Sequence, residues 1–382
     1  MNNNITNKHT IFQFTYCNYN YGSVLQCYAT QQYMIEKGYT IALVRRKYGI
    51  FERVIKSICR RGSLFIKKIV YPEIKEAIKS QQKSTMSSKN SISKVSINEI
   101  IKFCNDRVNT VQINNIELMI KCHEDSCLFC LTGSDQVWNA NRTDNDNTYF
   151  LPFAPKNKRI AFAPSFGSDH VPTYNYKRFK KYLMGFHKIS VRESSGCQIV
   201  NEIVGLQPSV LLDPVFLLSY KKWEVFAEKS EISLNGKCVF CFFLDEPSKK
   251  ALDALSYYKN QKYRLISLGY KYDSLNRIEV EHYEGSPLDF VSIIIKAAVI
   301  LTDSFHATAF SLISGKCFTT YERNYQGNNQ SVRITDILNC LNMGYRYDPD
   351  KPCIYGLTEL EKTRIQEMIK TNLINVERYL SL

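Results

Sequence analysis

Three short clusters in this chain each set a small residue beside polar or titratable side chains at the end of an apolar run. That combination can hold an anion and move a proton. The first, NYNYGSVLQCYATQ, begins at Asn18 and brings Tyr21 and Gly22 to the end of an apolar run, where a strand turns into a helix. Free backbone N–H groups then point from the helix start toward the sheet edge, although Gly22 can equally serve only a tight turn. The second, LTGSDQVWN, sets Ser134, Asp135, Gln136, Trp138 and Asn139 after the run CLFCLT. Here Asp135 suits a base that takes a proton from a sugar hydroxyl, and Trp138 suits an indole stacked on a sugar ring. The plainer alternative has Asp135 capping a turn and Trp138 anchoring a core. The third, ILTDSFHATAFSLISGK, ends a strand at Asp303 and places His306 in the first turn of the next helix, beside Ser304 and Thr308 and ahead of Arg323. Such a position fits a phosphorylated or carboxylated ligand. Arg192, which precedes Glu193, and Arg333, after the loop NYQGNNQ, are further candidates for a carboxylate or phosphate, or for ordinary ion pairs.

These clusters must be positioned by the elements around them. Short β-branched or aromatic runs alternate with longer helical patterns, the signature of parallel sheets covered by helices. The class is therefore α/β. In the first half, strands are predicted at 11–16, 41–46, 127–132, 159–164, 188–192 and 209–212, with helices over 22–37, 174–186 and 196–204. The second half restarts the rhythm with strands at 238–244, 263–268, 299–302 and 317–321 and helices over 247–260, 288–298 and 306–314. Two Rossmann-like domains are expected, 1–215 and 216–382, facing each other across a cleft at their strand ends. A final helix over 358–378 is expected to pack back toward the seam. Between residues 45 and 95 a basic, apolar-studded stretch predicts an inserted helical hairpin followed by a Ser-rich loop. It reads as a solvated basic helix or as a segment lying on a membrane surface.

Composition narrows the classes. With 382 residues, 44% apolar and 23% charged, the chain is long enough for two cores and folds throughout. The opening MNNNITNKHTIFQFTY has no secretory pattern and no apolar run is long enough to span a bilayer, so the expected location is cytoplasmic. The formal charge of +14 calls for an acidic partner, but no nucleic-acid-binding pattern accompanies it. The thirteen cysteines are scattered and read as buried free thiols. Cys122, His123, Cys127 and Cys130 come nearest to a metal cluster, yet strand alternation predicts Cys127 and Cys130 on opposite faces, and no metal is expected.

Taken together, NYGSVLQCYATQ, TGSDQVWN, RIAFAPSFGS, SVRE, LLDP, TDSFHATAFSLISGK, YERN and SVRITDIL resemble, in order, the polysaccharide pyruvyl transferase family. The resemblance runs from about Asn18 to Leu338. It implies a GT-B-like pair of domains that transfers a pyruvyl group from phosphoenolpyruvate to a sugar, forming a cyclic ketal and releasing phosphate. No cofactor is implied. The implied acceptor is a sugar of a capsule or exopolysaccharide precursor, often carried on a polyprenyl diphosphate, which would suit peripheral contact with an anionic membrane. On this reading the N-terminal domain takes the acceptor through Asn18, Tyr21, Gly22, Ser134, Gln136, Trp138 and Asn139. The C-terminal domain takes the donor, with His306 as acid and Asp135 as base. Many members carry Arg where this chain has Ser304, so the donor anion is expected to be held beside Ser304 by Arg192, Arg333, Arg323 and Lys316. Two other readings stand behind this one: a GT-B glycosyltransferase using a nucleotide sugar, and a catalytically silent assembly partner.

Overall fold

The computed structural model describes residues 10–17, 19–79, 81–82, 92–143, 146–323 and 331–381. Its contacts divide the chain into two compact units. The first comprises Met1–Tyr16, Gln26–Gln82 and Arg107–Pro214, and the second Cys17–Leu25, Lys83–Asp106 and Val215–Leu382. The two units thus interleave in sequence, where a single cut near residue 215 was expected.

In the first unit, parallel strands β1 (Thr10–Phe14), β2 (Thr40–Arg46), β3 (Thr110–Ile113), β4 (Cys127–Thr132), β5 (Arg159–Ala161), β6 (Lys188–Val191) and β7 (Ser209–Val210) form one sheet. Their order is β3-β2-β1-β4-β5-β6-β7. Helices α1 (Tyr21–Glu36) and α2 (Ile50–Val70) flank β2, and only the first turn of α1 groups with the second unit. Helical residues 74–79 follow α2 after a turn. The core packs Trp138, Phe150, Phe166 and Phe179 with helices α5 (Thr173–Leu183) and α6 (Ser194–Val204), reached after α3 (Lys94–Arg107) and α4 (Asn115–His123).

One irregularity changes a cysteine assignment. Thr10 pairs with Cys127 but Ile11 pairs with Phe129, so Leu128 is an extra residue in β4. Such a bulge reverses the alternation of the strand. Cys127 and Cys130 therefore face the same core as Cys122, and the thiols of Cys122 and Cys130 lie 3.3 Å apart. The expectation of opposite faces is corrected. Among the described residues no group of three His, Cys, Asp or Glu is placed to hold a metal ion.

The second unit has a parallel sheet of β8 (Cys238–Phe242), β9 (Arg264–Leu268), β10 (Glu281–Tyr283), β11 (Val299–Thr302) and β12 (Cys317–Thr320), in the order β10-β9-β8-β11-β12. Every residue of β8, β11 and β12 is buried, as parallel strands covered on both faces should be. Between them run α7 (Tyr220–Ala227), α8 (Lys249–Asn260), α9 (Asp273–Arg277), α10 (Pro287–Lys296) and α11 (Phe305–Ile313), followed by α12 (Val332–Cys340) and α13 (Glu359–Leu380). Their starts are written locally. Ser286 and Asp289 form a capping box with Pro287 in the first turn of α10, and Thr358 and Glu361 form another at α13. Residues 92–106 join this unit because Ile92 bridges Tyr270, Ser96 donates to Glu284 at 2.9 Å, and Phe103 meets Phe226 edge-on at 5.8 Å.

Candidate active site

Both sheets share a strand order in which consecutive crossovers reverse direction, between β1 and β4 in one and between β8 and β11 in the other. Ligands of such sheets bind outside the carboxyl ends of the strands at that reversal. The clusters TGSD and TDSFH follow β4 and β11, so the topology puts one chemical motif at each reversal.

In the first unit this position is filled by a network of buried polar groups. Gly133, at φ +114°, has no room for a side chain, since a Cβ would lie 2.2 Å from the carbonyl oxygen of Phe162. The fully buried Ser134 receives a hydrogen bond from Thr15 Oγ1 on its carbonyl at 3.0 Å and donates its N–H to Gln26 at 3.2 Å. Its hydroxyl donates to the carbonyl of Ala163 at 2.8 Å. Arg192 is buried and ion-paired with the buried Asp213, with Glu193 3.9 Å from its Nε. Glu193 in turn accepts from Ser165 Oγ at 2.9 Å and from the N–H of Phe166 at 2.7 Å. Asp135 is half-buried at φ +64°, and its carboxylate accepts from the N–H of Gln136 at 2.8 Å. A small pocket in this unit is lined by Tyr16, Asn139, Arg142 and Asp146 together with Trp138 and Phe150.

The second unit builds its reversal differently. Asp303 follows β11 and accepts from the backbone N–H groups of Leu244 at 2.7 Å and Asp245 at 3.1 Å, tying the β11 end to the loop after β8. The Nε of Arg323 stands 3.6 Å from the carboxylates of both Asp303 and Asp245. Burial pushes Asp303 up to about 6, against the opposing pull of Arg323, and raises Asp245 as well. Ser304 caps α11, its hydroxyl accepting from Ala307 N–H at 3.4 Å, which leaves His306 in the first helical turn. The guanidinium of Arg333 lies 5.6 Å from the Phe305 ring.

The segment Cys17–Leu25 completes this edge. Tyr21 stacks on Phe290 at 5.4 Å and donates its hydroxyl to the carbonyl of Gly285 at 2.9 Å. Gly22 lies directly against His306: a Cβ there would be 2.0 Å from Nδ1 and 2.2 Å from Cγ of the imidazole. Glycine is needed here for contact rather than for turn geometry, because it sits inside α1. The arrangement presents a sterically held imidazole at a helix N-terminus with two arginines on the same sheet edge, which suits an anionic ligand that must be protonated.

A family model described as polysaccharide pyruvyl transferase matches residues 20–325. The chain belongs to that family. It is accordingly a transferase, with a role in polysaccharide pyruvylation. No curated protein matches it. Among solved structures it is similar to UDP-GlcNAc 2-epimerase from Neisseria meningitidis, at 10% identity and a TM-score of 0.47 over 97% of this chain and 92% of that one. It is also similar to Arabidopsis thaliana UGT89C1, solved with UDP-L-rhamnose, at 9% identity and a TM-score of 0.48 over 97% and 93%.

Within this pyruvyl transferase, the predicted residues separate into groups. His306, Ser304, Arg323 and Arg333 share the carboxyl edge of the second sheet with Tyr21 and Gly22. Lys316 does not, because α11 carries the chain back before β12 begins, and the pairing of Val299 with Cys317 puts Lys316 at the amino edge. Burial lowers the Lys316 ammonium from its usual range. Arg192 lies in the first unit, bound to Asp213, and not in the second unit with the other residues expected to hold the donor. Trp138 is buried against Phe150 and Phe166 and donates its indole N–H to the carbonyl of Tyr149, so its faces are already occupied by the core and not offered to a sugar. Tyr21 is likewise fully buried, and Asn18 lies outside the described residues. Gln136 and Asn139 hydrogen-bond each other at 2.7 Å. Sequence reading missed Asp213, Gln26 and Asp245. The sequence LLDP does mark Asp213 as an acid following an apolar pair, but nothing local names Arg192 as its partner.

Proposed function

We propose that this pyruvyl transferase uses phosphoenolpyruvate as donor and joins its pyruvyl carbon to two hydroxyls of a sugar as a cyclic ketal, releasing inorganic phosphate. The acceptor is a sugar of a surface-polysaccharide precursor carried on a polyprenyl diphosphate. The observation that carries the reading is His306, pressed against Gly22 at the start of α11 in a chain of this family.

In the proposed reaction His306 delivers a proton to the methylene carbon of the donor, and the enol carbon becomes electrophilic. A sugar hydroxyl adds to it and passes its proton to a general base. A second hydroxyl then replaces phosphate at the same carbon, and its proton leaves with the phosphate. The atoms balance without a redox step. Arg323 and Arg333 supply positive charge for the donor's carboxylate and phosphate, the role that Ser304 cannot fill. Neither Arg192 nor Lys316 is retained among the donor ligands: Arg192 is closed in with Asp213, its side chain 2% exposed against 16% for Arg323, and Lys316 lies at the opposite edge of its sheet.

The test is phosphate release from phosphoenolpyruvate by purified protein with a panel of lipid-linked and aryl glycosides, with mass spectrometry of the products. Acceptor-dependent phosphate together with a glycoside carrying one added pyruvyl ketal is the expected result. No product with any acceptor, and no thermal shift on adding phosphoenolpyruvate, would overturn the donor assignment.

A further inference from the structure

Helix α2 is amphipathic in the reverse sense. At 100° per residue, Phe51, Val54, Ile55, Ile58, Phe65 and Ile69 share one face about 100° wide. An ordinary surface helix buries such a face, yet these six side chains are between 47% and 78% exposed and no residue of the helix is buried. The polar side is the one attached to the protein. Lys56 Nζ lies 3.6 Å from Asp146, Lys67 donates to Asn175 at 3.1 Å, and Glu52 accepts from Asn115 at 2.8 Å. Anchoring of the polar side directs the apolar side outward.

Charge selects what covers it. The helix carries six basic residues, Arg53, Lys56, Arg60, Arg61, Lys67 and Lys68, against one acid, Glu52. Arg61 and Lys68 border the apolar face and are exposed. A second copy meeting the same face would bring like charge against like charge. An anionic bilayer instead accepts the apolar side chains at the headgroup boundary and pairs its phosphates with the basic border. No helix among the described residues is long and apolar enough to cross a membrane, so this contact is with the surface.

We propose that α2 docks the protein onto an anionic lipid bilayer, with Phe51, Ile58 and Phe65 entering the headgroup boundary and Arg61 and Lys68 contacting lipid phosphates. This does not rest on the donor assignment. The test is cosedimentation of the full chain with phosphatidylcholine vesicles, with and without phosphatidylglycerol. Binding should require phosphatidylglycerol and fall by about tenfold or more in the combined variant Phe51→Asp, Ile58→Asp, Phe65→Asp. The milder pair Arg61→Gln, Lys68→Gln should weaken it by about tenfold. All five side chains are exposed, so the variants should keep wild-type circular dichroism and wild-type phosphate release with a soluble glycoside. Failure of the wild type to bind phosphatidylglycerol vesicles, or wild-type binding by the triple variant, overturns the proposal. So does light scattering that shows a wild-type dimer which the triple variant dissolves, with no vesicle binding by either.

Discussion

The reversal points of the two sheets carry comparable residues arranged to opposite ends. In the first unit Arg192 is bound to Asp213, Glu193 is held by Ser165 and Phe166, and Ser134 is linked on its N–H, carbonyl and hydroxyl. Each group there holds another part of the fold. In the second unit one arginine stands 3.6 Å from each of two carboxylates, and the imidazole is confined by the shape of Gly22. Strand order alone therefore does not decide how the residues at an edge are used. What distinguishes the second edge is a titratable ring placed by packing, beside cationic groups.

If that contrast holds, the largest effect comes from the ring itself. His306→Ala should lower phosphate release by about 10²–10⁴-fold, the usual range for a lost general acid, with the melting temperature little changed. Gly22→Ala tests the placement without removing the ring, because the new methyl would occupy the space of the imidazole. It should cost about 10²-fold in turnover through displacement alone. A fully active Gly22→Ala protein would dissolve the distinction between a ring held by shape and one held otherwise.

Arg192→Met sharpens the other side of the contrast. It leaves Asp213 buried without its cation, which should destabilise the fold by about 3–5 kcal/mol in denaturant titrations, while the Michaelis constant for the donor in the surviving folded protein stays unchanged. An Arg192→Met protein of normal stability and weakened donor use would return Arg192 to the donor site. Arg333→Ala should do the reverse at smaller scale, raising the donor's Michaelis constant about tenfold with stability close to wild type.

The sequence made the alternating strands and helices legible because buried parallel strands such as CVFCF and VILT are continuous apolar runs ending at Asp, Gly or Ser. It did not reveal β3 or β10, because TVQI and EHY are short, partly exposed edge strands without such a run. The motif containing His306 was readable from its strand-to-helix position. Its contact with Gly22 was not, since the two lie 284 residues apart in sequence and glycine gives no sign of what it approaches. Trp138 was ambiguous for a related reason: an indole that packs in a core and one that stacks on a sugar have the same sequence. Bulge-driven misreadings such as that of Cys127 arise because one extra residue, Leu128, reverses every later position in β4.

The smallest effect concerns Asp303, the acid that joins β11 to the loop after β8. Burial raises its carboxyl from the usual carboxylate range to about 6, so in the folded protein it keeps a proton at pH values where the unfolded chain has lost it. The folded state is then favoured below the unfolded value, and that advantage is lost as pH rises through about 6. It amounts to at most about 3 kcal/mol, the pull of Arg323 already included. Asp303→Asn removes the titration and keeps an acceptor for Leu244. The unfolding free energy of the variant relative to wild type should therefore shift in the variant's favour between about pH 4 and about pH 7. A difference that stays constant over that range would mean that Arg323 and the two backbone N–H groups hold the Asp303 carboxylate as firmly as Arg192 holds Asp213, and the two edges would no longer differ in how they carry buried charge.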